Sequence, residues 1–186
     1  QRNKKSKNKM LALADNILRL INFIFLVICL GLVSALINTQ KHHVSRVNYC
    51  MFTAAYSIAT DSFYGIFANF WDPLAWPFVL TTLDFLNFAF TFTAGTVMAV
   101  GTRTHSCKNQ HYLDKNSITQ GSENRCRMAQ AYTAFIYFSM AIFFFKMIMS
   151  AINMFQNGAF SNNSYISRRR RNAAAAAQGI PNISQV

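Results

Sequence analysis

The stretch Met128–Phe155, MAQAYTAFIYFSMAIFFFKMIMSAINMF, decides the fold: one charged residue, Lys146, interrupts an otherwise apolar and small-residue run. Crossing the hydrocarbon core takes roughly 20 predominantly apolar residues, so this run is long enough on its own. Three further runs lie upstream, Leu74–Val100, Val44–Phe70 and Leu11–Ile37. A backbone inside lipid must satisfy its own hydrogen bonds, and barrel strands would alternate over ~10 residues, so runs of this length are read as helices. The expected fold class is an all-α membrane protein, a four-transmembrane-helix antiparallel bundle with N- and C-termini cytosolic. Its helices are placed at about 11–37, 44–70, 73–102 and 127–157, with an outer loop at 103–126. A basic N-terminal extension, 1–10, precedes this 11–157 membrane domain, and a polybasic cytosolic tail, 158–186, follows it.

Composition agrees. Of 186 residues 52% are hydrophobic, and the 18 Phe are spread through all four runs rather than gathered in one core. The length is expected to leave no room for an added soluble catalytic domain. The first run lacks the short apolar core and small-residue cleavage site of a secretory signal, and is expected to be retained.

A net charge of +12 would suggest nucleic acid in a soluble protein, but here the basic residues lie mainly outside the runs. They cluster at Arg2–Lys9 and at Arg168, Arg169, Arg170 and Arg171. An even number of spans puts both clusters on one face, where anionic headgroups attract each Lys or Arg by about 1 kcal/mol. No nucleic-acid partner is expected. Lys41, Arg46, Arg103, Lys108, Lys115, Arg125 and Arg127 compete from the opposite side and weaken this orientation signal. The Arg168–Arg171 run serves equally as a topology-fixing stop signal or as a contact for anionic lipid.

The cysteines test sidedness independently. Cys107 and Cys126 stand at the two feet of the long loop, which favours a disulfide over two free thiols and an oxidising exterior for that loop. Cys29 and Cys50 fall in or near helices, where Cys acts as a small apolar residue. The sequons at Asn162 and Asn182 lie in the tail, so sugar there would demand the opposite orientation. In Trp71-Asp72-Pro73 a cap and a first-turn proline begin the third helix, with Trp71 and Trp76 suited to the headgroup level.

The clear ionisable residues inside the runs are Arg19, Asp61, Asp84 and Lys146. At about 1.5 Å per residue, Asp61, Asp84 and Lys146 all fall about 12–14 Å deep, with Arg19 somewhat shallower. Ser57-Asp61-Gly65, Asp84-Asn87-Thr91 and Ser139-Lys146-Ser150-Asn153 line up at helical spacing as polar seams expected to meet inside the bundle. Two readings compete: an intramembrane network of Arg19, Asp61, Asp84, Asn87 and Lys146 that sets helix register, or a channel or transporter path. No Pro or paired Gly breaks the runs centrally, which favours the network. Small-residue pairs, Gly31 with Ala35, Ala55 with Ala59 and Gly95 with Ala99, are expected to allow close helix approach within the bundle or in a homo-oligomer.

No enzyme constellation is evident. His42, His43, His105 and His111 all fall in outer loops without a nucleophile pattern. His105, Cys107 and His111 resemble a zinc cluster only loosely, so no metal or cofactor is expected. Phe85, Phe88, Phe90 and Phe92 surround the third helix and suit contact with acyl chains.

From Met10 onward the chain resembles the fungal non-classical export protein family, MARVEL-domain tetraspanners of the plasma membrane. The resemblance rests on MLALADNILRLINFIFLVI (10–28), SRVNYCMF (45–52), TDSFYGIFANF (60–70), LDFLNFAFTFTAGTVMAVG (83–101), HSC (105–107), ITQGSENRCR (118–127) and ISQV (183–186). It implies a four-helix MARVEL bundle in an eisosome-associated plasma membrane microdomain. The implied partners are sphingolipid, sterol and the BAR-domain proteins of the eisosome scaffold. A link with export of proteins lacking signal peptides is implied as well. The Ala173–Ala177 run is not expected from the family.

Overall fold

The computed structural model describes residues 2–64, 77–103 and 105–157, with side chains from Ile17 onward for most of them. All regular elements among these are helical: α1 (Arg2–Asn38), α2 (Ser45–Ser57) running into a π-helical segment π1 (Ile58–Tyr64), α3 (Pro77–Thr102), a short α4 (Gln110–Lys115) and α5 (Glu123–Asn157). Ile17–Asn38, Phe78–Thr102 and Glu123–Ile152 are each long and apolar enough to cross a membrane. The expected Trp71-Asp72-Pro73 corner, Arg168–Arg171 and both tail sequons lie outside the described residues.

The bounds differ from the sequence expectation at four places. α1 begins at Arg2 rather than near 11, because Lys, Met, Leu and Ala are good helix formers and no Gly or Pro stops the helix between 2 and 30. The second helix is not one α-helix over 44–70: it turns π-helical after Ser57, and neither the 13-residue α2 nor the seven-residue π1 is long enough by itself to cross a membrane. The expected loop 103–126 is partly helical. Asn109 caps α4 by accepting from the Tyr112 N–H at 3.3 Å, and α5 starts at Glu123, which pairs with Arg127 one turn on.

The long helices follow one rule of burial. The main buried seam, beside which Thr53, Gly95, Gly101, Thr102, Arg125 and Cys126 are buried as well, is formed by Asn22, Leu26, Cys29, Val33 and Leu36 on α1, and Val47, Cys50, Ala54, Ser57 and Asp61 on α2–π1. It continues as Asp84, Asn87, Thr91, Ala94 and Met98 on α3, and Ala129, Tyr132, Ile136, Ser139, Phe143 and Lys146 on α5. The seam positions are spaced alternately by three and four, the repeat that lets rods pack side by side at a shallow left-handed angle. α2 packs on α1 and α3, and α5 on α3 and α1, closing a ring of four rods. The interior is graded along its axis, apolar toward α4 and polar at the far half. The exterior is inverted relative to a soluble protein: Leu20, Phe85, Phe92, Phe138 and Phe145 are each half or more exposed.

Of the small-residue pairs, only the one on α3 is used inside the bundle. A Cβ on Gly95 would stand 3.2 Å from Ile136 and Tyr137, so glycine brings α3 and α5 together. Gly31 has nothing within 4 Å of that position, and Ala55 and Ala59 are exposed.

The end of the bundle nearest α4 is closed by a cap. Cys107 and Cys126 form a disulfide with Cα atoms 5.6 Å apart, packed with Leu113 and Tyr112. The Tyr112 hydroxyl donates to the Thr102 carbonyl, and Asn116 Nδ2 donates to the Gly101 carbonyl at 2.8 Å. Burial raises the Tyr112 phenol above its ordinary range, with the Arg103 guanidinium acting against it. Arg125, expected as a solvent-facing loop charge, is instead 3% exposed. Its Nε donates to the Ile118 carbonyl at 3.0 Å, and NH1 donates to the Leu36 carbonyl and Thr39 Oγ1, each at 2.7 Å. A cation thus sits on the negative end of α1 and ties it to the cap.

Removing the disulfide by Cys107→Ser with Cys126→Ser is expected to cost roughly 3 kcal/mol through the freed loop. Thermal unfolding in detergent should show it as a lowered midpoint, with faster trypsin cleavage at Lys108 and Lys115.

Candidate functional site

The polar half of the interior is built around Asp61. The π-helical segment that carries it gives the backbone an extra residue per turn, a distortion concentrated at functional sites in helices. Asp61 Oδ1 accepts from Arg19 NH1 at 2.9 Å and from Lys146 Nζ, and Oδ2 accepts from Asn22 Nδ2 at 2.9 Å. Arg19 NH1 also reaches the Asp61 carbonyl at 3.2 Å. Lys146 Nζ lies 3.5 Å from Asp84 Oδ1, and Asp84 Oδ2 accepts from Ser150 Oγ at 2.5 Å. Thr60 Oγ1 stands 2.8 Å from the Tyr56 carbonyl and 3.0 Å from Asn87 Oδ1, with one proton to give to either.

Arg19, Asp61, Asp84 and Lys146 therefore meet, with Asn87 beside them through Thr60. Lys146 and Asp61 are only 1% and 2% exposed, a burial that ionised groups tolerate only in close pairs. Two acids and two bases balance formally, and the ammonium group bridges both carboxylates. The layer joins α1, π1, α3 and α5 in one register. The seams also brought Ser57 and Ser139 inward, but neither hydroxyl has a hydrogen-bond partner. Sequence reasoning missed Asn22. Its signal was position: it lies one turn after Arg19 and begins the buried stripe of α1. The Cys107–Cys126 bridge forms as the loop placement suggested.

Helical rods with a charged interior and an apolar exterior define a multi-pass helical membrane protein. Residues 11–149 match the family profile of MARVEL, the membrane-associating domain. The chain is 66% identical over 177 residues to Non-classical export protein 2 of Saccharomyces cerevisiae, covering 95% of this chain and all of that protein. It is 54% identical, with the same coverage, to Non-classical export protein 2 homolog 1 of the same yeast. Non-classical export protein 102 of Candida albicans is 49% identical over 178 residues, again 95% of this chain and all of that protein. No solved structure matches. The chain belongs to the fungal non-classical export family of MARVEL membrane proteins.

Asp61→Asn leaves the buried Lys146 and the partly buried Arg19 with a single carboxylate between them. The expected loss is about 3–5 kcal/mol, the scale for removing one partner of a buried pair. Pairing it with Lys146→Met should recover much of that loss. The midpoints of single and double variants in detergent check this, and an additive double variant would show that the two groups are not coupled.

Proposed function

We propose that this chain is a non-enzymatic organiser of a plasma membrane microdomain. In this reading it responds to sphingolipid, supports assembly of the eisosome scaffold and takes part in export of proteins without signal peptides. The observation that carries the reading is where the chain spends its charge and its rings. Both buried acids are bound to cations, which suits a register-setting layer better than an exchangeable substrate site. Tyr132 and Phe143 are buried, but Phe85, Phe92, Phe138 and Phe145 face outward, where lipid would meet them. Family membership supports the role, since the relatives carry the name of non-classical export proteins.

In this proposal the apolar run Val44–Phe70, which contains α2 and π1, is the fourth crossing, and both termini are cytosolic. The disulfide supports an oxidising exterior for the cap. Arg168–Arg171 would then face anionic headgroups or BAR-domain scaffold proteins, and a homo-oligomer is part of the proposed assembly. The channel reading draws on the π-helical turn at Asp61 and on the buried, unpartnered hydroxyls of Ser57 and Ser139.

Protein extracted in mild detergent is expected to carry sphingolipid or sterol in excess over a control membrane protein. Equal amounts would refute direct lipid recognition. Deleting Ser167–Val186 should abolish scaffold association while leaving insertion intact. Uptake or current in liposomes that Asp84→Asn removes, with normal assembly, would favour the channel instead. For sidedness, His111→Ser creates a glycosylation acceptor at Asn109 that should be used in cells, with Asn162 and Asn182 unmodified.

A further inference from the structure

Beside the disulfide, the start of α2, the end of α3 and helix α4 enclose an open cleft of about 600 Å³. Its lining includes Arg46, Arg103, Lys115, His43 and His105, and no carboxylate. The acids nearest in sequence on the cap are engaged elsewhere: Asp114 Oδ1 accepts from Gln110 Nε2 at 3.0 Å, and Glu123 holds Arg127 at 2.5 Å. Among the described residues, Arg46, Arg103 and Lys115 have no ion pair. Three cations gathered around one concavity without a counter-charge raise the local potential and attract an anion.

The neutral donors point the same way. His43 Nε2 lies 2.7 Å from Asn48 Nδ2; the amide must donate there, which leaves the His43 Nδ1–H free to donate. Val44, the residue preceding α2, is extended and gives the helix no side-chain cap; its carbonyl takes the Val47 N–H at 3.0 Å, which leaves the N–H groups of Ser45 and Arg46, both lining the cleft, at the positive end of a 13-residue helix. Gly101 forms part of the wall, and a Cβ there would stand 3.3 Å from Arg46 NH1 and collide with Ile118.

We infer that this cleft binds the terminal, doubly ionisable phosphate of a phosphate monoester. Arginine forks, a lysine and helix N–H groups together match a tetrahedral oxyanion better than a single carboxylate. The volume is of the order that holds a substituted ligand rather than a bare ion. Val100, 61% exposed, is the last large apolar side chain of α3 before Arg103, so the cleft sits where the apolar exterior gives way to charge. That is the level of lipid phosphates, and a soluble phosphate ester shares the same chemistry. This site is separate from the buried ion layer and from the Arg168–Arg171 tail.

The test uses the full chain in an uncharged detergent. Dioleoylphosphatidic acid is added and bound copies are read by native mass spectrometry, with dioleoylphosphatidylcholine as reference; inorganic phosphate is titrated by calorimetry. The triple variant Arg46→Gln, Arg103→Gln, Lys115→Gln is compared with a charge-matched one, Lys41→Gln, Lys108→Gln, Arg127→Gln. Loss of charge-assisted contacts should weaken phosphatidic acid binding roughly tenfold or more in the first and under about threefold in the second. Arg103→Gln alone should fall between, and an intact Cys107–Cys126 bridge on a non-reducing gel reports folding. A parallel loss for inorganic phosphate identifies a site open to soluble phosphates, and a loss confined to the lipid identifies a headgroup site. Equal losses in both triples, or no preference for phosphatidic acid together with no phosphate binding, would overturn the assignment.

Discussion

One carboxylate, Asp61, is the point on which the described bundle turns. In hydrocarbon an unpaired charge is prohibitive, so this group can be buried only where its neighbours supply compensating donors. Arg19 and Asn22 reach it from one helix and Lys146 from another, and Lys146 carries the link on to Asp84. Sliding any of these helices by a turn would leave a charge without its partner. The layer therefore acts as a register lock. Its contribution is specificity of packing more than net stability, since a well-packed apolar layer could hold the rods as tightly.

The same three–four repeat changes its chemistry along the axis. Toward the cap it carries Val33, Leu36, Val47, Met98 and Ala129; at the other half it carries Asn22, Ser57, Asp61, Asp84 and Lys146. Between rods in lipid there is little hydrophobic drive, so close packing and polar contacts must supply cohesion. The glycine at 95 serves the first need and the ion layer the second. With the interior committed in this way, the outward rings remain as the broad surface offered to lipid, and this division underlies the proposed organising role.

The cap brings a third device. A disulfide, a short helix and the buried Arg125 hold the cap against the ends of α1 and α3. Arg125 is held through Nε and NH1 by two carbonyls and a hydroxyl rather than by an acid, while its NH2 is buried without a partner among the described residues. Its charge is consumed internally, while Arg46, Arg103 and Lys115 are left facing an open cleft. Cations that look alike in the sequence thus stand in opposite surroundings.

Sequence alone determined that long helices cross an apolar phase, because hydrocarbon permits no unpaired backbone and each run is too long for a strand. It also determined which ionisable residues share a depth, since helical rise converts numbering directly into height. The loop cysteines were legible for a similar reason: they stand at the two feet of one segment. What only the tertiary structure decided is which groups at one depth actually touch. Asn22 joined the layer, Ser57 and Ser139 reached the interior without partners, and Gly31 with Ala35 turned away from it. Those outcomes depend on the rotation of each rod about its own axis and on the π-helical turn at Asp61. Periodicity along one chain leaves rotation free; contact between chain segments fixes it.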